Sequence, residues 1–81
     1  MANVTVTNTP VPVGDGTKNV FVLPPKEPYM YGFGNNPTIW VLQNDLTKPT
    51  EFGTAYGQLN LRTVSTDNSA SSISIEYILG V

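Results

Sequence analysis

The chain has 81 residues, with no histidine, no cysteine and only four basic against six acidic side chains, a net charge of −2. One domain fits that length, and the composition excludes histidine general-base catalysis, cysteine nucleophiles, disulfide staples and thiolate metal sites. The cations Lys18, Lys26, Lys48 and Arg62 are dispersed along the chain, so they form no positive stripe for phosphates and nucleic acid is not an expected partner.

Met1-Ala2-Asn3 leads straight into strand-like sequence, with no basic n-region or apolar h-region, so synthesis in a cytoplasm without a targeting segment is expected. No apolar run is long enough to span a bilayer, and no membrane partner is expected. Residues 3–7 alternate, with Val4 and Val6 on one face and Thr5 and Thr7 on the other. Residues 9–13 carry Pro10 and Pro12; without a backbone N–H at those positions, the stretch is confined to a sheet edge, an extended arm or a linker. Gly14-Asp15-Gly16 signals a turn. Residues 19–23 read as a strand with apolar residues on both faces, Val20 and Val22 against Phe21 and Leu23, and so as a central strand.

Pro24-Pro25 ends that strand, and Lys26-Glu27-Pro28 continues as loop. Residues 29–33 place Tyr29, Tyr31 and Phe33 on one face. After the turn Gly34-Asn35-Asn36-Pro37, residues 38–43 set Ile39 and Val41 against Trp40 and Leu42, so that the two runs form a hairpin. Residues 44–49 are a second loop. Residues 52–64 form one strand broken by Gly53 and Gly57, or two short strands, and 65–70 are a third loop. The last run alternates most clearly: Ile73, Ile75, Tyr77 and Leu79 share one face and Ser72, Ser74 and Glu76 the other, as in an antiparallel strand with one wet face. Helical periodicity is absent throughout. The expected fold is all-β, a small antiparallel β-sandwich or jelly-roll-like barrel of six or seven short strands. Residues 1–81 form a single β domain, with 2–13 as a candidate extended N-terminal arm.

Few residues are equipped for chemistry. Glu27, Glu51 and Glu76 lie in different segments, and a chain this small leaves little material for a cleft, so solvated carboxylates are the better reading than a glycosidase pair. Asp15, Asp45 and Asp67 sit singly in turns without the spacing of a calcium loop. No catalytic residue, cofactor or metal is expected. The glycines around Asp15 and Phe33 superficially match phosphate-cradling loops, yet no helix follows either of them.

The aromatic residues Tyr29, Tyr31, Phe33 and Trp40 come from adjacent strands. They fill the core, contact a partner protein or line a sugar-stacking platform, since flat rings with a polar tip suit all three. The proline-rich stretch around Pro10 and Pro12 could lie along a neighbouring subunit, because a pre-set φ lowers the entropy lost on docking. Pro10, Pro12, Tyr29, Tyr31 and Trp40 are therefore the candidate partner-binding residues. A domain of this size buries only about 60% of its unfolded surface, and no disulfide is available to brace it, so self-association into a trimer or dimer is expected.

Three stretches carry a resemblance. Ala2-Asn3-Val4-Thr5-Val6-Thr7-Asn8-Thr9, Asn36-Pro37-Thr38-Ile39-Trp40-Val41-Leu42 and Ser72-Ile73-Ser74-Ile75-Glu76-Tyr77-Ile78-Leu79 are similar in texture to small virion proteins of tailed bacteriophages, in particular the head decoration or cement proteins. The resemblance implies a compact β-fold bound outside an assembled capsid, stiffening it, with the major capsid protein or another virion protein as partner. The expected location is then the virion. A carbohydrate- or receptor-binding module of a fibre or tail is the alternative reading.

Overall fold

The computed structural model describes residues 2–64 and 72–80. Eight strands appear among them: β1 (Ala2–Val6), β2 (Val11–Val13), β3 (Val20–Val22), β4 (Tyr29–Phe33), β5 (Val41–Gln43), β6 (Thr50–Phe52), β7 (Leu59–Thr63) and β8 (Ile73–Leu79). They form two four-stranded antiparallel sheets, ordered β1-β8-β3-β6 and β2-β7-β4-β5. The hairpin β4–β5 is innermost; β3 pairs with β6, β2 with β7 and β1 with β8. A single long hairpin has thus been wound over itself, and that winding is the jelly-roll form of the sandwich.

The count of eight exceeds the expected six or seven for two reasons. The region 52–64 resolves into the second of its two readings: β6 closes at Phe52, the turn around Gly57 N–H to Thr54 C=O (3.1 Å) intervenes, and β7 follows. The proline-bearing stretch also holds a strand of its own, because β2 lies at a sheet edge, where the missing N–H of Pro12 can face away from the ladder. Residues 2–13 consequently do not form a projecting arm: Ala2 to Val6 pair with Tyr77 to Ile73, and Val11 to Val13 with Leu61 to Leu59. The loop expected over 65–70 lies outside the described residues.

Alternation sets the core. Val6, Val13, Val20, Val22, Tyr29, Phe52, Leu59, Leu61 and Ile75 are buried between the sheets. β3 is central, as its two apolar faces require, and its ladder runs on at both ends through Leu23 N–H to Glu76 C=O (2.9 Å) and Gly80 N–H to Asn19 C=O (2.7 Å). The turn after β2 uses Gly14 at φ 76° and Gly16 at φ 82°, conformations that a side chain would strain. Between them Asp15 accepts hydrogen bonds from Thr17 N–H and Oγ1 (2.9 and 2.6 Å), and Asp45 is held identically by Thr47 (3.1 and 2.6 Å). Those bonds to the charged form hold both exposed carboxyls below their usual pKa.

Candidate functional site

The five candidate contact residues separate in space. Tyr29 is 1% exposed, so it belongs to the core and can touch no partner. Its hydroxyl bonds to Thr50, which also accepts from Gln43 Nε2 (3.0 Å), so one polar chain ties β4, β5 and β6 across the two sheets. Burial pushes the Tyr29 phenol up to about 12. Tyr31, two residues further along the same face, is half-buried, because the sandwich opens at that end. Trp40, Pro10 and Pro12 lie elsewhere, on the outer side of the β2-β7-β4-β5 sheet, where they meet at one groove.

The open end is an apolar rim. Tyr31 packs edge-on against Phe52 (centroids 4.7 Å) and Phe33 (5.9 Å), and Phe33 reaches Tyr56 (5.6 Å). Tyr56 is 78% exposed and Ile39 77%; with Val41, Tyr31 and Phe33 they line a continuous apolar depression that contains no charged side chain. A carboxylate borders the rim: Glu51 lines the adjoining hollow with Tyr31, Phe33, Phe52 and Tyr56, and it accepts from Asn19 Nδ2 (2.8 Å). The cause is architectural. β5 and β6 are edge strands of opposite sheets, so the inward side of Val41 has no further strand to cover it. Large exposed apolar clusters of this kind mark contact surfaces. Sequence reasoning missed Ile39 and Tyr56 as contact residues; the available signal was an aromatic residue inside the glycine-flanked turn 53–57, where no strand could bury it.

The groove is built by a close approach. A Cβ on Gly32 would lie 2.8 Å from Pro37 Cβ, 2.9 Å from the Ile39 carbonyl oxygen and 3.2 Å from Trp40 Cε3, so segment 34–40 folds down onto β4 only because residue 32 has no side chain. Trp40 also carries the Arg62 guanidinium 4.9 Å from its ring centroid, a cation–π contact. Below them Asn60 donates from Nδ2 to Gly34 C=O (2.7 Å) and Gln58 C=O (3.1 Å). Gln58 Nε2 in turn binds the carbonyls of Val13, Gly14 and Leu59 (2.9, 3.1 and 3.0 Å). These two amides fasten β7 to the β2 turn and to segment 34–40. Gly32→Ala should accordingly cost about 1–3 kcal/mol, the usual penalty of overpacking, and shift the Trp40 emission. Thermal melts and tryptophan fluorescence check this, and a variant with both unchanged would refute the contact.

No family model, curated protein or solved structure matches the chain. Among the described residues no helix is long and apolar enough to cross a membrane.

Proposed function

We propose that the protein is a structural virion component that docks on an assembled phage capsid through its apolar rim and stiffens the particle. The observation that carries this reading is the rim itself, with Ile39 and Tyr56 standing nearly free in solvent and no charge among the residues that line the depression. Such a surface is desolvated at low cost, because no unpaired charge is buried when a partner covers it. The jelly roll is an architecture of viral capsid domains and lectins alike, so the fold is compatible with the reading without carrying it. The partner is the major capsid protein or another virion protein, the protein itself is a trimer or dimer on the particle, and its location is the virion after synthesis in the host cytoplasm.

Binding of the intact protein to capsids that lack it tests the reading. Because no charged side chain lines the depression, affinity should change little between about 50 mM and 500 mM salt, a range over which exposed charge pairs become screened. Ile39→Asp and Tyr56→Asp should each weaken attachment at least about tenfold while leaving thermal stability close to that of the parent, since both side chains are exposed. Decorated particles should survive heating that bare ones do not. Absence of capsid binding, or binding with no gain in particle survival, would overturn the proposal.

A further inference from the structure

We infer that the groove beside Trp40 is a binding site for a neutral saccharide, a function separate from attachment through the rim. The groove measures about 480 Å³ and is lined by Pro10, Pro12, Asn35, Asn36, Trp40 and Asn60 together with Gly34, Pro37 and Gln58. That volume falls within the range of small-molecule sites.

Its chemistry is that of a polyhydroxylated ligand. The side chains of Asn35 and Asn36 and the indole N–H of Trp40 have no hydrogen-bond partner among the described residues. Asn60 spends its Nδ2 on two backbone carbonyls, which leaves Oδ1 as an open acceptor. No fully buried side-chain polar atom among the described residues lacks a partner, so that open oxygen faces accessible space. Each amide offers both a donor and an acceptor, and sugar hydroxyls offer the same pair. The walls are preset: three prolines fix the backbone around the groove, and Gln58 and Asn60 are braced from below. Little ordering entropy is then lost on binding.

Two observations narrow the ligand. No charged side chain lines the groove, and the neighbouring cation Arg62 is engaged by the Trp40 ring and by the carbonyls of Thr63 (2.9 Å) and Val64 (3.4 Å), so nothing is free to pair with a phosphate or a sialic carboxylate. A peptide is disfavoured by the adjoining edge: adding a strand to β2 requires main-chain donors, and Pro12, the middle residue of β2, has none.

Titration of the intact ¹⁵N-labelled protein with lactose, maltose, cellobiose and mannobiose tests the assignment, with sialyllactose and a proline-rich decapeptide as comparators. At least one neutral disaccharide should shift the Trp40 indole and the Asn35, Asn36 and Asn60 side-chain amides at concentrations up to about 10 mM, which reads millimolar dissociation constants. Asn36→Ala and Asn35→Ala, both at exposed positions, should weaken that binding at least tenfold with an unchanged melting temperature. Silence with all four sugars, shifts confined to the rim, or a stronger response to sialyllactose or the peptide would overturn it. None of these outcomes depends on capsid attachment, so the two proposals fail separately.

Discussion

Replacing Ile75 by alanine should cost about 2–5 kcal/mol, whereas Ser74→Ala, one residue away, should change stability by less than about 0.5 kcal/mol. Ile75 is 0% exposed and sits in β8 beside Val4 of β1. On its other side β8 pairs with β3 through Tyr77 to Leu79, and the bond from Leu23 N–H to Glu76 C=O carries that ladder to the residue next to Ile75. Truncation to alanine removes three carbons from a site enclosed by the core between the two sheets. The cavity cannot readily collapse, and the upper part of the range is expected. Ser74 points to solvent opposite Thr5, and its hydroxyl makes no bond that alanine would leave unpaired. An 81-residue domain has a total stability of only about 4–12 kcal/mol, so the first variant forfeits a large part of it. Urea midpoints at constant slope separate the two variants. Similar losses from both would show that β8 is turned the other way, as a one-residue slip of register would cause.

The same alternation explains which parts of the molecule were legible from the residues alone. From Ser72 to Tyr77, polar and large apolar residues alternate and the two faces follow, whereas Ile78 and Leu79 at the end of β8 are both exposed. In β3 both faces are apolar, and the strand is central. The 29–33 and 38–43 runs flank a strong turn and pair as the hairpin β4–β5, although β5 is shorter than its run because segment 34–40 is held over Gly32 instead of continuing the ladder. Period two says which way a side chain points and nothing about what lies beyond it. Tyr29, Tyr31 and Phe33 share a face, yet only Tyr29 is covered, because Thr50 of β6 closes over it while the other two approach the open end. The rim was hidden for this reason: it arises where the edges of two sheets meet, a property of the winding and not of any local stretch. The groove was half visible. Pro10, Pro12 and Trp40 were singled out for separate reasons, and the structure brings them together. Asn60 and Gln58 gave no signal, since a single amide in a strand-like run resembles any solvated polar residue.

Between about pH 10 and 12 the parent protein should lose up to about 2.7 kcal/mol of stability that a Tyr29→Phe variant does not lose, two pKa units at 1.36 kcal/mol each. The Tyr29 phenol is raised from 10.0 to about 12, first by burial and then by the neighbouring Tyr31, against the lowering effect of its bond to Thr50. Below the unfolded value both states hold the proton, and the native contribution is complete. As pH rises past 10 the unfolded chain releases its proton while the native state retains it, so unfolding is increasingly favoured until the native phenol also ionises near 12. The variant lacks this ionisation in either state, and the other groups that titrate in this range are common to both proteins. At neutral pH the variant should be about 1 kcal/mol less stable than the parent, because half-buried Thr50 loses one of its partners. On going alkaline the gap should close and then reverse in sign. Denaturation curves of the two proteins at a series of pH values measure the difference directly, and tyrosinate absorbance follows the ionisation in the native state. Curves that stay parallel to pH 12 would mean that the hydroxyl is hydrated, and that the polar link from β4 through Thr50 to Gln43 does not hold the two sheets together.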